Sequence, residues 1–176
     1  MKNIITIGGS NSKTSITKQL AEYVGGLVEG VNLTKIDLND YKMPLYSVDE
    51  EAKNGYPENA KKLNAEFDNA DAFVICLAEH NGVYSVAFKN MFDWLTRVEN
   101  QIWRKKPMLL LTATPGERGG ITLLNIALDR FPYLGANIIG SLAFPSFYDN
   151  FKEGKVINEE LHAEILQLVK KLEKSI

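Results

Sequence analysis

Five short apolar runs punctuate the chain, over residues 4–7, 31–38, 72–78, 108–113 and 138–144. Four of them are near-continuous, as strands covered on both faces must be. The second alternates, with Thr34, Lys35 and Asp37 set among Leu33, Ile36 and Leu38, which suits an edge strand with one wet face. Between the runs lie stripes of helical period: Ile16, Leu20, Tyr23, Val24 and Leu27, then Phe88, Met91, Phe92, Leu95 and Val98. Leu123, Leu124, Ala127, Leu128 and Phe131 form another, stopped by Pro132, and Leu161, Ile165, Leu168, Val169 and Leu172 form the last. Asn158 is placed to cap that final helix. Glu159 and Glu160 in its first turn, and Lys170, Lys171 and Lys174 in its last, complement the helix dipole. Strands alternating with helices predict an α/β fold with right-handed crossovers: a five-stranded parallel sheet in the order 2-1-3-4-5.

Residues 37–56 break this rhythm with Tyr41, Met43, Pro44, Leu45, Tyr46, Gly55 and Tyr56. Long structureless segments are uncommon inside compact domains. This one reads as a surface excursion, serving as the wall of a site or as a partner surface. A second trace, Ala87, Met91, Trp94 and Val98, followed by Ile102 and Trp103, is wider than one core face needs. It fits either a subunit interface or a deeply buried helix.

The chain has 176 residues, 45% hydrophobic and 24% charged, which suits one soluble domain over 1–176 and excludes disordered and fibrous classes. A net charge of −2 without a basic block leaves no electrostatic footprint for nucleic acid. Cys76 is the single cysteine, so neither an internal disulfide nor a cysteine-rich metal site is expected. The apolar start is too short for a signal peptide and no run approaches the ~20 residues that cross a bilayer, so a cytoplasmic protein is expected.

Ligands of open parallel sheets bind at the carboxyl ends of the strands, near the switch in strand order. Three loops sit there. The first, Gly8-Gly9-Ser10-Asn11-Ser12-Lys13-Thr14-Ser15-Ile16-Thr17, leads from strand to helix and can cradle a phosphate with hydroxyls and helix N–H groups. It lacks the Gly that precedes Lys-Thr in a Walker loop, the spaced glycines of a dinucleotide loop and the second Gly of a nucleophile elbow. Its Ser and Thr residues equally suit an ordinary helix start. The second is Ala78-Glu79-His80-Asn81-Gly82-Val83-Tyr84-Ser85, followed by Lys89-Asn90 and Asp93-Trp94. The third is Thr112-Ala113-Thr114-Pro115-Gly116-Glu117-Arg118-Gly119-Gly120, whose glycines suggest close backbone approach. Either of these alone suits a plain turn.

Together the motifs resemble those of the NADPH-dependent FMN reductase family of flavodoxin-like proteins, which includes small quinone and chromate reductases. Gly9-Ser10-Asn11-Ser12-Lys13-Thr14-Ser15 stands where the family has Gly-Ser-x-Arg-x-x-Ser, with Ser12 in place of Arg. Ala78-Glu79-His80-Asn81, then Phe88-Lys89-Asn90 and Asp93-Trp94, match Pro-Glu-Tyr-Asn, Leu-Lys-Asn and Asp-Trp, with Ala for Pro and His for Tyr. Pro115-Gly116 with Gly119-Gly120, and Pro44-Leu45-Tyr46, complete the likeness.

The resemblance implies a flavodoxin-like three-layer sandwich that binds FMN and takes electrons from NADPH or NADH. The acceptors it implies are quinones, free flavin or other small molecules. Ser10, Ser12, Ser15 and Thr17 would hold the phosphate. Glu79, His80, Asn81 and Gly82 would line the isoalloxazine, and Thr114, Gly116 and Gly119 would frame its pyrimidine side. No catalytic side chain and no metal is implied, and His80 is weighed as a packing residue against a proton donor. The family's habit points to a homodimer or homotetramer. The alternative is a flavodoxin-type electron carrier without NAD(P)H activity.

Overall fold

The computed structural model describes all residues from Met1 to Ile176. Its elements in order are β1 (Lys2–Gly8), α1 (Ile16–Gly26), β2 (Val31–Ile36), α2 (Val48–Asn54), α3 (Glu58–Asp68), β3 (Ala72–His80), β4 (Val83–Tyr84) and α4 (Val86–Val98). Then follow β5 (Pro107–Ala113), α5 (Ile121–Arg130), a 3-10 turn (Phe131–Leu134), β6 (Asn137–Phe144), α6 (Phe147–Asn150), a hairpin of β7 (Phe151–Lys152) with β8 (Lys155–Val156), and α7 (Glu159–Glu173).

The main sheet runs β2-β1-β3-β5-β6, all parallel, so the five long strands take the predicted order. It gains a sixth strand because β4 folds back antiparallel on the end of β3, pairing Glu79 with Tyr84 and His80 with Val83. The turn between them is Asn81-Gly82, both with positive φ (52° and 82°), the geometry of a two-residue type I′ hairpin. The sheet is a little larger than expected for that local reason. β2 is the edge strand, with only Ile36 fully buried along it.

Alternate side chains of the central strands feed two cores, one on each face. Ile5, Ile7, Phe73, Ile75, Leu77 and Leu110 pack with α3, α4 and α5, while Ile4, Val74, Cys76, Leu109 and Leu111 pack with α1 and α7. Met91, Trp94, Ile102 and Trp103 are all buried within this one chain. The wide trace after the second loop is therefore explained by burial of α4 and the segment after it, and it gives no ground for a subunit interface. The sequence pattern singles out no stripe for α3, whose polar run buries only Ala60, Leu63, Asn64 and Phe67.

The expected excursion over 37–56 is shorter than predicted. Ser47 caps α2 by accepting from the Glu50 N–H (3.0 Å), and three acidic residues fill the helix's first turn. What is left between β2 and α2 is residues 37–47, of which 39–46 form a strap.

Candidate active site

β1 ends on two glycines because two neighbours crowd it. A Cβ on Gly8 would lie 2.5 Å from the Lys18 backbone, and one on Gly9 would lie 2.9 Å from Ala78 N. The chain can thus turn tightly from β1 into α1. Along the turn the hydroxyls organise the backbone: Ser10 Oγ accepts from Ser12 N–H (3.1 Å) and Ser12 Oγ accepts from Thr14 N–H (3.3 Å). Ser15 is the N-cap of α1. Its Oγ accepts from Lys18 N–H (3.1 Å) and shares a hydrogen bond with Thr17 Oγ1 (2.9 Å), both side chains being buried.

The N–H groups of Ile16 and Thr17 have no partner in the protein, as first-turn donors of a helix do not. No carboxylate occurs from Gly8 to Gln19. The Lys18 ammonium instead reaches Asp37 at the end of β2 (2.5 Å). That bond, together with the N–H of Asn39, holds the Asp37 carboxyl below its ordinary range, while Asp37 raises Lys18. Asn39 Nδ2 also donates to Asn11 O (3.1 Å), so the end of β2 braces the loop from the side.

This loop forms one wall of a cleft of about 250 Å³ at the carboxyl ends of the strands. Ser10, Ser12, Thr14, Ser15 and Thr17 line it, facing Ala78, Glu79 and His80 from β3 and Thr114 and Pro115 after β5. Gly116 lies in an adjoining cleft with Glu117, Arg118 and Thr122, and Glu79 and Thr114 border both. Asn81 and Gly82 form the hairpin tip and do not line the main cleft; the absent Cβ of Gly82 would stand 4.0 Å from Thr122 Cγ2. Gly119 lies elsewhere: it is buried at φ 60°, where a Cβ would stand 2.9 Å from the carbonyl carbons of Ala143 and Phe144. Its carbonyl accepts from Thr112 Oγ1 (2.7 Å), so it anchors the third loop to the sheet from behind.

Ser85 ties the first and second loops together. Buried, it donates to Gly9 O (2.5 Å) and accepts from Phe88 N–H (3.1 Å) as the cap of α4. Phe147 N–H donates to Thr114 O (3.0 Å) and Ser146 N–H to Gly116 O (3.0 Å), which joins the third loop to the turn after β6. That turn brings Tyr148, 59% exposed, onto the cleft. No motif marks Tyr148. Its place after the fifth parallel strand is the signal that would have found it. His80 faces the main cleft and also a neighbouring one lined by Met43, Leu45, Val86 and Ala87. Cys76 is wholly buried in β3, and burial pushes its thiol far up, so it takes no part here.

A cradle of hydroxyls and free N–H groups without a carboxylate, backed by a helix N-terminus and set against loops from β3 and β5, fits the phosphate end and ring of a mononucleotide. Residues 2–149 match the family described as NADPH-dependent FMN reductase. The chain belongs to that family. It is therefore an oxidoreductase of the flavodoxin-like class, with FMN as cofactor and NAD(P)H as reductant. It is 33% identical over 69% of its length to an NADPH azoreductase of Bacillus sp. (strain OY1-2). It is 28% identical over 66% of its length to a quinone reductase of Escherichia coli K12. The matched segments span 64% and 62% of those two proteins, a little under two thirds. The flavoenzyme NAD(P)H:(acceptor) oxidoreductase FerB from Paracoccus denitrificans superposes with a TM-score of 0.82 at 22% identity. The match covers 99% of this chain and 97% of that one, a likeness of fold.

Proposed function

We propose that this chain passes electrons from NAD(P)H, by way of bound FMN, to quinones, free flavin or other small acceptors. The observation that carries the reading is the carboxylate-free cradle of hydroxyls and free N–H groups in the same cleft that Glu79, His80 and Thr114 line. Bound FMN would supply the two-electron redox chemistry. The protein's part is binding, orientation and electrostatics.

In this reading the hydroxyls of Ser10, Ser12 and Thr14 and the N–H groups of Ile16 and Thr17 donate to the phosphate, with the α1 dipole behind them. Ser15 acts as the cap that aims those N–H groups, and Thr17 steadies Ser15. Backbone around Glu79 and His80 lines the ring, and Thr114 and Gly116 frame its pyrimidine side. Gly119 serves by fixing the third loop. Backbone dipoles aimed at the ring favour negative charge there. Tyr148 covers the rim, and His80 stands where an acceptor would enter.

The sheet and its two cores span the chain, so we take residues 1–176 as one FMN-binding domain. No helix is long and apolar enough to cross a membrane. We place the enzyme in the cytoplasm, where NAD(P)H is supplied, and infer a homodimer or homotetramer. The exposed Val48 (73%) and Tyr56 (40%) on and after α2 support the assembly. The test of function is NAD(P)H oxidation by the FMN-loaded protein with a quinone. Turnover that needs both FMN and acceptor supports the reading. A yellow protein that NAD(P)H cannot reduce would instead be an electron carrier.

A further inference from the structure

We propose that Asn90 is a positioning residue that fastens the strap over residues 39–46 as the wall of an acceptor slot that adjoins the main cleft at His80, and that this wall selects flat, uncharged rings. The proposal rests on the redox reading above. One side-chain amide makes three bonds to the strap: Asn90 Oδ1 accepts from Tyr46 N–H (2.8 Å), and Nδ2 donates to Pro44 O (3.0 Å) and Met43 O (3.4 Å), while Asn59 Nδ2 holds Lys42 O (2.8 Å). One turn along α4, Trp94 Nε1 donates to the same Pro44 O (2.8 Å), and the Tyr46 ring stands edge-on to Trp94 with centroids 5.0 Å apart. The i, i+4 spacing puts both fasteners on one face of the helix.

The strap needs such fastening because space lies on both sides of it. A cleft of about 290 Å³ on the His80 side and one of about 340 Å³ toward Tyr41 and Met91 share Asn11, Met43, Ala87 and Asn90. On the His80 side the wall presents Met43 and Leu45 opposite Val86 and Ala87. Leu45 is 74% exposed and Val86 72%, so the apolar surface is available to a ligand. The polar groups there are Asn11, Ser85, Asn90 and His80, with no Lys, Arg, Asp or Glu among them. Such a slot gains from burying an aromatic ring and has no Lys or Arg to compensate an anion for its lost hydration.

The experiment compares Asn90→Ala with wild type, using an uncharged naphthoquinone and, as an acceptor that needs no wall, ferricyanide. The KM for the quinone should rise fivefold or more, while the KM for ferricyanide and the FMN content stay within twofold. In the FMN-free protein, hydrogen exchange at the Tyr46 amide should quicken at least tenfold, with the amides of Ile75 and Leu110 unchanged. Asn90→Asp keeps the acceptor for Tyr46 N–H but loses the donors, and should fall between the two. Faster exchange at Tyr46 with an unchanged quinone KM would overturn the selecting role. Equal losses with both acceptors, or loss of FMN, would reduce Asn90 to a structural residue. A wild-type protein that NAD(P)H cannot reduce would sink the redox reading, and the selectivity with it, whatever the exchange shows.

Discussion

Gly119 shows how a single backbone position supports the site without touching it. Its φ of 60° is one that side-chain-bearing residues adopt at a cost, and a Cβ there would press on two carbonyl carbons of β6. Strain and overpacking together should cost Gly119→Ala about 2–3 kcal/mol. For a chain of this size that is a drop in Tm of roughly 5–10 °C. Gly120 also has positive φ (81°), but the atoms nearest its absent Cβ are side-chain atoms of Thr112 and Glu79, at 3.0 and 3.2 Å. Gly120→Ala should therefore cost less. Thermal melts of both variants check the order, and an unchanged Tm for Gly119→Ala would show that the third loop is not anchored at that point.

Among the elements, the end of β2 braces the start of α1 through Asp37 and Lys18. The carboxyl of Asp37 is held low first by the Lys18 hydrogen bond and then by the Asn39 N–H. A depressed carboxyl stabilises the fold above its ordinary titration range, and that stability is lost as pH falls through the folded value. Asp37→Asn should thus be less stable than wild type at pH 7, by about 1 kcal/mol, and the difference should be smaller at pH 3, below the ordinary carboxyl range. Urea melts at the two pH values decide it; an equal gap at both would assign the effect to packing.

The strands and most of the helices were legible because their periodicity is imposed by burial on both sides of the sheet. Asn81-Gly82 was legible in principle as a hairpin turn, yet next to a strand end and a helix start it read as loop. α2 was hidden because no residue of it is buried, so its only marks are the Ser47 cap and the acidic first turn. The motif residues of the first two loops were readable as chemistry. The bonds from Asn90 and Trp94 to the strap were not, because they join segments more than 40 residues apart and leave no periodic trace.

For the whole molecule, the redox reading puts reductant and acceptor on one face of the flavin, in the cleft that His80 and Tyr148 line. Reductant and acceptor must then use it in turn. Steady-state rates with NAD(P)H and a quinone should give parallel double-reciprocal lines, and intersecting lines would require both to be held together. His80→Ala should shift acceptor kinetics modestly, since no covalent step is assigned to it. All of this depends on the cradle at α1 being a phosphate site. The most direct test is calorimetric titration of the flavin-free protein with FMN and with riboflavin, in wild type and in Ser10→Asp. The account predicts one FMN per chain, bound at least a hundredfold more tightly than riboflavin, with that preference largely abolished by the added carboxylate. Equal affinity for the two flavins, or a Ser10→Asp variant that binds FMN as wild type does, would contradict it.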